Sequence, residues 1–110
     1  MSDEAVLLDV LTHGRRAIRG AKQKDAFLRD EIAQSAVAYC ISVMGEAVKR
    51  LSPEFQRRHP EVNWSDIAKM RDLLVHAYHR VDWNVGWNTV TTSIPETLRL
   101  IEELISPKDE

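Results

Sequence analysis

From Phe27 to Leu51 the apolar side chains fall at threes and fours: Phe27, Leu28, Ile32, Ala36, Tyr39, Val43, Ala47 and Leu51. That is the period of one helix face, and it does not fit a strand, whose period is two. The run predicts one long amphipathic helix, capped by Asp25, with this face turned to the core. A helix of that length is unusual in mixed folds and ordinary in bundles.

The rest of the chain agrees. Ser2 or Asp3 caps a first helix carrying Val6, Leu7, Val10, Leu11 and Ile18, and Gly20 ends it. Ser52-Pro53 is an N-cap followed by proline at the first helical position; it opens a short turn through Arg58 that stops before Pro60. Ser65 caps a helix over 65–80, and Asp82 or Asn84 opens a last helical region to about Ile105. Pro95 either kinks that region or marks a second start. The β-branched run Val90–Ile94 dissents locally, and packing is expected to override it. The expected fold is therefore all-α: an antiparallel up-down helical bundle, one domain over 1–110, with 106–110 a frayed tail.

Lysine and arginine total 15 against 17 aspartate and glutamate, a net charge of −2. There is no global pull toward nucleic acid, so any RNA contact must come from a local patch or an assembled groove. The single cysteine, Cys40, cannot form an intramolecular disulfide and reads as a buried thiol. The first twenty residues hold no long apolar run, so neither a signal peptide nor a membrane span is expected, and a cytoplasmic location follows by default.

The chemistry concentrates in Arg71-Asp72-Leu73-Leu74-Val75-His76-Ala77-Tyr78. A guanidinium holds two phosphate oxygens and stabilises charge building on phosphorus. An imidazole, with an ordinary pKa near 6.5, moves a proton at neutral pH. Together they suffice for attack of a ribose 2′-hydroxyl on its neighbouring phosphate, with no metal. On a helix over 65–80, Arg71 and Tyr78 share a stripe about 10 Å apart, and Asp72, His76 and His79 form another. Arg71 and His76 diverge by about 140°, so they converge on one anion only over the helix shoulder or with help from a second copy.

Weaker signals surround this cluster. His76 and His79 have metal-ligand spacing, but no cysteine pair or convergent carboxylates accompany them, and no metal or cofactor is expected. Lys49-Arg50 and Arg57-Arg58 form a basic region, read as a solvated face or an RNA-backbone contact. Trp64, Trp83 and Trp87 read as core or interface anchors. Glu46 is either an acid paired with Arg71 or His76, or simply exposed. No glycine-rich nucleotide cradle is present.

The order of the pieces is more specific than any one of them. Met44-Gly45-Glu46-Ala47 is followed by His59-Pro60-Glu61-Val62-Asn63-Trp64, then Ile67 to Tyr78, then Val81-Asp82 and Trp87. From about Phe27 to Leu104 this resembles the HepT-like branch of the HEPN superfamily, small all-helical prokaryotic proteins that include toxins of toxin–antitoxin pairs. The resemblance implies a homodimer whose two Arg-x4-His helices meet at a cleft, and a metal-independent endoribonuclease. Carried onto this chain, Arg71 would stabilise the phosphorane and His76 would be the acid or base. Asp72, often asparagine in relatives, would orient His76 while adding negative charge near the substrate. Glu46 and His79 would lend support. The resemblance also implies an MntA-like nucleotidyltransferase antitoxin that silences the toxin by moving AMP from ATP to Tyr78. The alternative is a non-catalytic helical dimer that binds or scaffolds a nucleotidyltransferase, a nucleotide or RNA.

Overall fold

The Ser2 hydroxyl accepts from the Ala5 amide and starts the first helix, and Asp3 and Glu4 complement its positive end. The computed structural model describes residues 2–105, and the expected frayed tail at 106–110 lies outside them. The order is α1 (Asp3–Ala21), α2 (Lys24–Leu28), α3 (Glu31–Val48), α4 (Pro53–Arg58), α5 (Trp64–His76), a 3-10 turn (Tyr78–Arg80), α6 (Trp83–Asn88), a π-helical segment (Thr89–Ser93) and α7 (Ile94–Ile105). No strand occurs among the described residues. The long helices α1, α3, α5 and α7 pack through one shared core, which includes Val6, Val10, Val37, Met44, Ile67, Val90, Ile94 and Ile101. Neighbours run antiparallel: Ser52, just after α3, binds Asp3 at the start of α1, while Gly20 near the end of α1 faces Val37. The all-helical up-down architecture is as expected.

Several boundaries differ from expectation. The long helix is split at Arg29-Asp30. Asp30, not Asp25, caps its main part, and its carboxylate accepts from the Ile32 and Ala33 amides. Gln23 caps the short piece before it. The break lets Phe27 turn fully inward against Trp83 and Trp87, at centroid distances of 5.7 and 5.8 Å. The Phe27 carbonyl also accepts from the Gln34 side chain, so this buried amide is satisfied. Helix α1 runs past Gly20 to Ala21, and Lys22 takes the left-handed turn at φ 56°. Asn63, not Ser65, caps α5 through the Asp66 amide. Ser52 and Asp82 act as caps, as expected. Pro95 falls in the first turn of α7, which starts at Ile94, in line with the second start expected there. The π-helical turn just before it widens the backbone where the proline lacks a donor, and Thr91 binds the Trp87 carbonyl through its hydroxyl.

The largest correction concerns the face of α3. Phe27, Ala47 and Leu51 are buried, but the middle of the expected core stripe is not: Ile32 is 83% exposed, Tyr39 is 64% exposed, and Ala36 is exposed beside them. The buried side of α3 is instead Val37, Ala38, Cys40, Ile41, Met44, Ala47 and Val48. The helix is apolar nearly all round, so periodicity alone could not tell which side the bundle covers. Cys40 is the buried thiol expected, and burial pushes its pKa up.

Candidate active site

Helices α3 and α5 approach so closely at Gly45 that a Cβ placed there would lie 2.2 Å from Arg71 Cβ and 3.0 Å from the Ile67 carbonyl oxygen. Only glycine fits without moving a helix, because the opposing atoms are a side-chain root and a backbone oxygen. This contact sets the stem of Arg71 against α3 and leads its guanidinium out along the seam.

There the guanidinium meets two carboxylates. Arg71 Nη2 is 3.3 Å from Glu46 Oε1, and Nη1 donates to Asp72 Oδ1 at 3.0 Å. Lys49, one turn after Gly45, donates to the same Asp72 oxygen at 2.8 Å. The Arg71 side chain is 26% exposed, while Glu46, Lys49 and Asp72 are 46, 39 and 47% exposed. The group is therefore a rim feature, open to solvent and screened by salt. Hydrogen bonds from Lys49 and then Arg71 hold the Asp72 carboxyl below the usual carboxylate range.

His76 is the last residue of α5 and is exposed, with no hydrogen bond to its ring among the described residues. The structure does not place Asp72 on His76, because that carboxylate is turned to Lys49 and Arg71. The helix expected over 65–80 stops here: Ala77 leaves helical geometry at φ −144°, ψ 41°. Tyr78 consequently lies off the Arg71 stripe. It sits half-buried in the 3-10 turn, its hydroxyl 3.2 Å from Ser35 Oγ on α3 and its ring edge-on to Trp83 at 5.9 Å. His79 is exposed in the same turn and no longer lies one helical turn from His76. No cluster of three or more metal-ligand side chains occurs among the described residues.

The structure thus brings Arg71, Asp72 and Glu46 together, leaves His76 apart from them at the exposed end of the same helix, and separates Tyr78 and His79 into the following turn. Ser35 is a residue here that sequence reasoning did not pick out; Lys49 was read only as part of a basic region and Gly45 only as part of the Met44–Ala47 run, and neither was placed against Arg71. A glycine inside an otherwise strong helix, one turn before a lysine, was the available signal for Gly45 and Lys49.

The family model described as "Ribonuclease HepT-like" matches residues 7–104. A protein of Thermococcus cleftensis named "Probable ribonuclease HepT" is 44% identical over 78 residues, covering 71% of this chain and 71% of its own length. A Methanocaldococcus jannaschii protein named "Putative RNase" is 32% identical over 109 residues, covering 97% of this chain and 94% of its own length. A Caldanaerobacter subterraneus protein, also named "Putative RNase", is 35% identical over 88 residues, covering 80% and 78%. No solved structure matches significantly. With its all-helical bundle and a match spanning nearly the whole chain, this protein belongs to the HepT-like ribonuclease family.

Proposed function

We propose that this protein is the toxin of a toxin–antitoxin pair: a metal-independent endoribonuclease that acts as a homodimer in the cytoplasm. The observation that carries the reading is a partly open guanidinium and a free imidazole on one helix, beside an apolar face that the bundle leaves uncovered. Ile32, Ala36 and Tyr39, spaced on one side of α3, form that face, and Val75 on α5 is half exposed as well. Contiguous exposed apolar surface of this kind marks an interaction site. A second copy docked on it would bring a second Arg71 and His76 into one groove and overcome the angular divergence of the pair on a single helix.

In such a groove His76 would take the proton from a ribose 2′-hydroxyl as that oxygen attacks phosphorus. Arg71 would stabilise the charge on the phosphorane, and the 5′-oxygen would leave with a proton from an imidazole. The products are a 2′,3′-cyclic phosphate and a 5′-hydroxyl. His76→Ala and Arg71→Ala should each abolish RNA cleavage, measured in EDTA, while circular dichroism shows an intact bundle. A folded His76→Ala protein that still cleaves at the parent rate would sink the assignment.

The same proposal assigns the antitoxin as an MntA-like nucleotidyltransferase and Tyr78 as its AMP acceptor. The Tyr78 hydroxyl lies at the surface on Ser35, two residues past His76, where an added phosphate would bring negative charge beside the site. Incubation with the transferase and ATP should add one AMP to the wild type and none to Tyr78→Phe, read by mass spectrometry. One observation favours the alternative of a non-catalytic dimer that binds a transferase or RNA: Glu46 and Asp72 already occupy the guanidinium. Absence of cleavage by a pure, unmodified dimer would decide for that alternative.

A further inference from the structure

The Asp72 carboxylate has an unusual arrangement of partners. One of its oxygens, Oδ1, accepts from Lys49 Nζ at 2.8 Å and from Arg71 Nη1 at 3.0 Å. Two cations, one at the end of α3 and one on α5, are thereby gathered on a single oxygen, as two donors can be on an oxygen of one phosphate group. Both cations retain solvent access, Lys49 the more so. Lys49 also reaches this point from a fixed base, because it follows Gly45 by one turn and Gly45 packs directly on Arg71. The carboxylate stands where an anionic oxygen of a ligand would stand.

We propose that Lys49 is a second phosphate-binding residue of the site, held beside Arg71 by Asp72 and transferred to an RNA phosphate when RNA enters. The proposal rests on the ribonuclease reading above. It gives Asp72 a role other than orienting the imidazole: it keeps two cations adjacent in the absence of RNA and yields them to a phosphodiester, which has the same single charge but two non-bridging oxygens to share between them. A phosphodiester bound between Lys49 and Arg71 would lie along the α3–α5 seam, with the lysine as a mobile point charge and the guanidinium as the planar fork.

The test is RNA binding, followed by fluorescence anisotropy with a labelled single-stranded oligoribonucleotide. The parent is the His76→Ala protein, which the ribonuclease reading expects to hold RNA without cutting it. Lys49→Gln in that parent should weaken binding roughly tenfold at low salt and reduce the salt slope of log K by about 0.7, the loss of one phosphate contact. Lys49→Arg should restore both. A second comparison separates contact from mere neutralisation of Asp72. With Asp72→Asn already present, Lys49→Gln should still cost about the same factor if Lys49 grips phosphate. If Lys49→Gln costs nothing once Asp72→Asn is present, Lys49 only offsets the aspartate and the proposal is overturned. Parent-like binding by Lys49→Gln alone, with a wild type that cleaves RNA, overturns it too and leaves the ribonuclease reading intact. A wild type that neither binds nor cleaves the oligoribonucleotide overturns both.

Discussion

Two helix seams in this bundle are built around a glycine, and they differ in what the glycine faces. In α1, Gly14 lies under Leu98 of α7, where an added Cβ would meet the Leu98 methyls, 2.7 Å from Cδ2 and 3.0 Å from Cδ1. In α3, Gly45 lies under the root of Arg71 and a backbone oxygen of α5. The tip of a leucine swings into another rotamer, but a Cβ and a carbonyl move only with their helix. Each seam also carries charge at its edge. Arg15–Glu102 closes the first, with both partners about half exposed. Glu46, Arg71, Asp72 and Lys49 line the second. The α1–α7 seam is therefore adjustable and structural, whereas the α3–α5 seam is fixed by backbone approach at the point where the candidate chemistry sits.

The largest effect that would sharpen this contrast is expected from Gly45→Ala. Forcing α3 and α5 apart should cost about 2–3 kcal/mol, a drop of very roughly 10–20 °C in Tm by calorimetry, and should remove RNA cleavage under conditions where the variant is still folded. Gly14→Ala should cost about 1 kcal/mol or less and leave cleavage unchanged. Equal losses at the two glycines would break the comparison. Arg15→Ala should change stability by less than about 0.5 kcal/mol in urea unfolding, because an exposed pair contributes little. The smallest effect is on proton binding. Asp72 is held low by Lys49 and Arg71 in the folded state, so this tie is present above the ordinary carboxylate range and is lost as pH falls through the depressed value. In Lys49→Gln, carboxyl NMR should find the Asp72 midpoint raised toward the ordinary aspartate value; an unmoved midpoint would remove Lys49 as the leading cause.

Much of the architecture was legible in the residues. Ser2, Ser52-Pro53 and Asp82 carry their own capping chemistry, and the apolar period of α1 points the right way. The break at Asp30 was not legible, because the apolar period runs from Phe27 and Leu28 through to Ile32 without a phase change. What breaks the helix is tertiary: Phe27 gains a place between two tryptophans, and Gln34 takes its carbonyl. The stop after His76 has no glycine or proline to announce it, and follows from Tyr78 being held between Ser35 and Trp83. At the site, Arg71, Glu46 and Asp72 were found from residue type and order. The shared oxygen of Asp72 and the approach at Gly45 depend on the register of α3 against α5, which one sequence does not encode locally.

The contact of Tyr78 with Trp83 gives the molecule an optical reporter of its own. Trp83 stands edge-on to Tyr78 on one side and to Phe27 on the other. Any group attached to the phenol oxygen displaces the Ser35 hydroxyl and alters the surroundings of that indole, whatever enzyme attached it. The tryptophan emission of the unlabelled protein is therefore expected to shift when Tyr78 is modified, an effect that Trp83→Phe should remove.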